Sequence, residues 1–139
     1  TVAGALMMNY AYTCPPIDSD KILTPRRFQT LSAPDGTGNA RFLDRHNVTC
    51  PAGFVIQRYR MMRTTMTTMA AEFFCVPLVG AVRCDARTFS TPVAPDGNGS
   101  VVFLDRHSLA CPTGLYLNSL VLRRPTETTF RYDYRCCGI

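Results

Sequence analysis

An all-β protein stapled by disulfides is the fold class this chain of 139 residues predicts, and three observations predict it. It has seven cysteines, its aromatic residues fall on alternate positions, and it repeats itself at an interval of 61 residues. Hydrophobic residues make up 46% of the chain and charged residues 18%. That is enough apolar surface to offset the entropy of ordering. No apolar run nears the roughly 20 residues that cross a bilayer as a helix, so no membrane span is expected. The first residue is Thr, and a mature chain with its leader removed is the expectation.

The repeat comes first because it sets every later boundary. Residues 28–38 align with residues 89–99, and both carry Ala-Pro-Asp-Gly at the same place. Phe42-Leu43-Asp44-Arg45-His46 matches Phe103-Leu104-Asp105-Arg106-His107 letter for letter. Cys50-Pro51 and Gly53 match Cys111-Pro112 and Gly114, and Cys75 matches Cys136, all without a gap. More than a third of the aligned positions are identical. Carried backward, the offset places Cys14 and the aromatic segment before it opposite Cys75. Residues 1–14 then read as the detached last strand of a preceding repeat, 15–75 as repeat 1 and 76–139 as repeat 2.

Each element follows from local pattern. Met8, Tyr10 and Tyr12 alternate with small or polar residues, as do Phe130, Tyr132 and Tyr134. Such alternation makes a strand with one buried and one wet face. Pro34-Asp35-Gly36 and Pro95-Asp96-Gly97 are turns, Pro presetting φ and Gly taking positive φ. Residues 42–43 and 101–104 are expected as short strands after those turns, and 54–62 and 115–122 as longer ones. No stretch shows a helical stripe with caps. The Thr-rich residues 64–69 are expected as a solvated loop or edge.

Cysteine usage of this density points to an oxidising, extracellular compartment. Zinc is excluded by spacing, since there is no C-x-x-C pair and only two His. Sequons at Asn47 and Asn98 agree with export. If each repeat closes its own loop, Cys50 bonds Cys75, and Cys111 bonds either Cys136 or Cys137. Cys84 takes the remaining member of that doublet, and sequence leaves the choice open. Cys14 is left over, which suggests a bond between chains or a free thiol.

Net charge is +5, carried by fourteen Arg and one Lys. Arg suits bidentate contacts to carboxylate, sulfate or phosphate. A nucleic-acid partner would demand a clustered basic stripe, and the nearest candidate, Arg58, Arg60 and Arg63, reads as an outward strand face. Acidic polysaccharide is the expected polyanion. Asp44, Arg45 and His46, with Asp105, Arg106 and His107, form two candidate ligand sites, although an internal Asp–Arg pair with a turn-capping His explains the same residues. No catalytic set emerges. Ser108 follows His107, but Asn47 stands in its place in the first copy, and no pair among two Glu and eight Asp recurs. Residues 35–39 and 96–100 alternate oxygens like a calcium loop but lack its further ligands. No cofactor or metal is expected.

Cys-Pro-x-Gly, followed 25 residues after its Cys by the Cys that ends an aromatic strand, resembles the repeat of dermatopontin-like proteins. The likeness covers residues 50–75 and 111–137. The second copy ends in Cys136-Cys137, as one dermatopontin repeat does. The resemblance implies a compact β-fold in a matrix-binding or lectin-like extracellular protein. Two functions are therefore expected, both non-enzymatic. One is a secreted structural glycoprotein whose copies join head to tail, residues 6–14 pairing in cis or in trans. The other is a bivalent carbohydrate-binding protein of the lectin type.

Overall fold

The computed structural model describes residues 24–78, 80–85 and 87–139. Cys14 and the aromatic segment 6–14 lie outside them. The described chain is built of strands and short 3₁₀ turns. No described helix is long and apolar enough to cross a membrane.

Two antiparallel hairpins organise the molecule. β4 (Phe54–Arg63) pairs with β5 (Thr68–Pro77), with Arg58 opposite Phe74 and Met62 opposite Ala70. Two short strands run in succession along the other edge of β5, β1 (Arg26–Gln29) and β2 (Ala33–Pro34). In the second sheet β9 (Leu115–Thr126) pairs with β10 (Thr129–Gly138). Along the far edge of β10 lie β6 (Arg83–Cys84), β7 (Phe89–Ser90) and β8 (Ala94–Pro95). β5 and β10 are offset by 61 at both ends, as are the starts of β4 and β9.

Alternation decides which face is buried. In β10 the side chains of Phe130, Tyr132, Tyr134 and Cys136 turn inward, while Arg131, Asp133 and Arg135 stay wetter. Ala71, Phe73 and Cys75 do the same for β5. These inner faces merge into one apolar cluster that draws on both sheets, with Leu120, Leu122 and Val48 at its heart. Burying a side chain such as Phe130 completely contributes up to about 3 kcal/mol relative to leaving it exposed. A smaller cluster of Val55, Val76, Leu78 and Cys137 lies apart from it.

The staples join the ends of these strands. Cys50 bonds Cys75 and Cys111 bonds Cys136, each across 25 residues, and Cys84 bonds Cys137 across 53. Adjacent strand residues point to opposite faces, so the doublet serves two partners. Cys136 meets Cys111 in the main cluster, and Cys137 meets Cys84 opposite it on β6.

Residues 42–43 and 101–104 correct the expectation of short strands. They belong to 3₁₀ turns, Ala40–Arg45 and Val101–Arg106. The Asn39 side chain accepts from Arg41 N–H, and the Ser100 hydroxyl accepts from Val102 N–H. These are the helix caps that sequence reading overlooked. The turn also carries the Phe42 ring back over Gly36, where an added Cβ would lie 2.2 Å from it; Phe103 covers Gly97 likewise. Of the Thr-rich stretch, Thr64–Thr67 forms the bend, and Thr68 already opens β5.

Candidate functional site

The two Asp-Arg-His runs sit at the ends of the 3₁₀ turns, and the turn splits each trio. Asp44 and Arg45 face outward and pair with each other at 3.2 Å, the guanidinium lying 4.1 Å from the Phe42 ring centre. Asp105 and Arg106 repeat this at 3.0 Å, over Phe103 at 4.1 Å. The imidazoles turn the other way. His46 is only 3% exposed, and His107 is partly buried.

Each imidazole is tied to a threonine. His46 Nδ1 lies 2.8 Å from Thr30 Oγ1, and that oxygen accepts from Ala71 N–H at 2.8 Å. In the second half His107 Nδ1 lies 2.7 Å from Thr91 Oγ1, which accepts from Tyr132 N–H at 2.9 Å. Each threonine oxygen thus serves a backbone N–H and an imidazole Nδ1 together, while the Nε2 atoms of His46 and His107 are buried with no hydrogen-bond partner among the described residues. Burial holds both histidines below the ordinary imidazole range, and the adjacent Arg45 or Arg106 adds to this. Sequence reading missed Thr30 and Thr91. Their identity at the 61-residue offset was the signal that pointed to them.

The Asp35 and Asp96 turns also fold on themselves. Asp35 Oδ1 accepts from Thr37 N–H at 2.9 Å and Asp96 Oδ1 from Asn98 N–H at 3.0 Å. Both carboxylates face guanidinium groups, Asp35 that of Arg63 at 3.4 Å. Asp96, 1% exposed, receives a two-pronged contact from Arg41, Nε donating at 2.5 Å and Nη2 at 2.9 Å. Arg41 holds the Asp96 carboxyl below the usual carboxylate range.

That ion pair joins the two halves, and other contacts across the same boundary run in one direction. β3 (Val48–Thr49), from the first half, pairs along the outer edge of β9, Val48 opposite Leu120 and Thr49 opposite Ser119. Cys50 N–H donates to Asn118 O at 2.9 Å. The Asn118 amide donates to Phe54 O at 2.8 Å and Cys50 O at 3.3 Å. Asn39 closes over Gly99, where a Cβ would lie 1.8 Å from its Oδ1. None of these recurs in reverse among the described residues. Val102 stands where Arg41 does and is 41% exposed. Gly38, the counterpart of Gly99, has open space beside it. Among the described residues no strand pairs with residues 109–110, and β4 pairs with β5.

The remaining candidates sit on the surface. Asn47 and Asn98 are both exposed, and Thr49 Oγ1 donates to Asn47 Oδ1. Arg58 stacks over Phe74 at 4.0 Å, Arg60 donates to Glu72 at 2.8 Å and Arg63 to Met66 O at 2.7 Å. These arginines serve three separate local contacts. Comparison with known proteins places no relative beside the chain: no family model, curated protein or solved structure matches it.

Proposed function

We propose that this is a secreted, non-enzymatic structural protein whose copies join head to tail into an extracellular filament or matrix. The observation that carries the reading is the one-way contact between its halves. One half offers residues 39–50 and the other accepts them on β9 and the turn at 96–99. An isologous pair would exchange the same contacts twice, whereas a heterologous one leaves a donor and an acceptor surface unused, and repetition of it builds an open chain. Three disulfides within the chain fit an oxidising compartment. The aromatic strand expected over residues 6–14 supplies a further pairing element, and Cys14 a covalent one.

Sedimentation of the full-length protein across a wide concentration range, with electron microscopy of the same samples, tests this. Long oligomers of uniform width are expected. A protein that stays monomeric at high concentration overturns the reading.

A second reading has its own observation. Asp44 with Arg45 and Asp105 with Arg106 present two identical outward pairs, each resting on a Phe ring. Two such sites suit a bivalent lectin, whose avidity needs no new contact. Agglutination of cells by a monomer, lost in Arg45→Ala and Arg106→Ala, would favour it.

A further inference from the structure

We infer that the cavity where the first hairpin meets both 3₁₀ turns is a binding site for a small primary amine, whose ammonium group pairs with Asp35. The site needs no second copy of the chain, so it goes beyond the head-to-tail reading and stands apart from it.

The cavity measures about 200 Å³. Met61 and Met69 face it from the two strands of the hairpin, Ala40 and Leu43 from the first turn, and Val101 from the start of the second. Met61, Leu43 and Val101 also pack against the main apolar cluster, so the floor of the cavity is the core itself. An apolar cavity of about 150 Å³ already admits one aromatic ring. Methionine suits such a wall, because its unbranched thioether adapts to the shape of what enters.

Asp35 brings a carboxylate to this lining, and it is only 9% exposed. Its two oxygens differ. Oδ1 accepts from Thr37 N–H at 2.9 Å, which closes the turn. Among the described residues Oδ2 has a single contact, Arg63 Nη1 at 3.4 Å, and that same nitrogen donates to Met66 O at 2.7 Å. A shielded carboxylate with so long a contact keeps capacity for a cation, since charge-assisted hydrogen bonds form at about 2.7–2.9 Å. The equivalent turn shows the arrangement completed. Asp96, 61 residues on, takes two guanidinium donors from Arg41 at 2.5 and 2.9 Å. Val102, which stands where Arg41 does, brings no charge to Asp35.

These features select the ligand. One carboxylate among apolar walls supplies too few oxygens for a calcium ion, and among the described residues no group of His, Cys, Asp and Glu could hold a metal. An ammonium on a short apolar or aromatic stem meets both demands. Its head replaces the long contact from Arg63, which keeps its bond to Met66 O. Its stem covers the two methionines and Leu43, removing their apolar surface from water.

The test titrates the full-length protein, carbon-13 labelled at its methionine methyl groups, with benzylamine at neutral pH. Benzyl alcohol is the uncharged probe of the same size. Met66, 88% exposed at the hairpin bend, is the internal reference. Benzylamine should shift the Met61 and Met69 signals saturably and leave Met66 in place, and benzyl alcohol should bind about tenfold more weakly. Asp35→Asn retains an acceptor oxygen for Thr37 N–H and removes the charge. It should lower benzylamine affinity to that of benzyl alcohol and leave the alcohol's unchanged. Val101→Phe should weaken both probes by filling the cavity. Equal affinity of the two probes for the wild-type protein overturns the amine assignment, whether or not the Asn variant folds. Shifts that never saturate, or that move Met66 as far as Met61, overturn the site itself.

Discussion

At the scale of single residues, the histidines show how one buried hydrogen bond organises its surroundings. Thr30 Oγ1 serves two groups at once, His46 Nδ1 and Ala71 N–H. Thr30→Val keeps the shape and removes the hydroxyl, leaving both groups unpaired. Unfolding stability should fall by about 1–3 kcal/mol in urea titration, whereas Ser32→Ala at an exposed hydroxyl should change it by less than about 0.5 kcal/mol. Titration gives a second prediction. Because the folded protein holds His46 and His107 below the ordinary imidazole value, the unfolded chain takes up protons first as pH drops. Their contribution is fully present above about pH 6.5 and is lost as pH falls through the lowered folded values. Melting temperature should therefore decline from pH 7.5 to pH 5, and less steeply in the His46→Gln, His107→Gln double variant. An equal decline in both proteins would contradict the assignment.

At the scale of elements, the turn before a 3₁₀ segment and the turn that opens a long strand each hold a glycine of positive φ, and sequence alone presents the two as interchangeable. Gly36 has φ +62° with the Phe42 ring where a Cβ would be, and Gly114 has φ +85° with open space around it. Gly114→Ala carries only the backbone penalty of the left-handed region, about 1 kcal/mol. Gly36→Ala adds displacement of a packed ring, a further 1–3 kcal/mol or so. Denaturation midpoints should rank wild type above Gly114→Ala and that above Gly36→Ala. The long strands of the two hairpins were legible because period-2 alternation is a local signal, whereas the short edge strands β1, β2, β3 and β6 to β8, of two to four residues, are too brief to carry one. The turns at 40–45 and 101–106 were not, because Phe42-Leu43 and Val101-Val102-Phe103-Leu104 are apolar runs too short to distinguish a strand from a single tight turn. Asn39 and Ser100 decide between them by capping, and a lone polar residue after a Gly carries little weight by pattern.

At the scale of the molecule, one apolar cluster spans both sheets, so the halves should unfold together. Calorimetry should show a single transition. Arg41→Met tests the polar part of that union. It strands Asp96, 1% exposed, without its cation. The carboxylate left behind has lost its two-pronged cation, so a clear fall in the urea midpoint is expected. Arg63→Met, at the longer and more exposed Asp35 pair, should cost under about 1 kcal/mol. Equal losses would mean that the two turns are equally shielded, contrary to the packing of Asn39 and Arg41 over the second.

By itself the sequence determined the strands of both hairpins, the two turns and the closure of Cys50 on Cys75, because each is encoded by neighbours or by one short interval. It also determined that every such feature occurs twice at the same offset. Tertiary structure decided the rest. It gave Cys136 to Cys111 and Cys137 to Cys84 by turning adjacent residues to opposite faces. It drew His46 away from Asp44 and Arg45, so a trio contiguous in sequence is split between core and surface. Above all it chose the direction in which the halves meet. Repeated sequence offers both directions, and the choice rests on small departures from the repeat: Arg41 against Val102, Asn39 against Ser100, Asn118 against Gln57. Those differences carry no local pattern. They act only when a partner from the other half is at hand to receive a guanidinium or an amide.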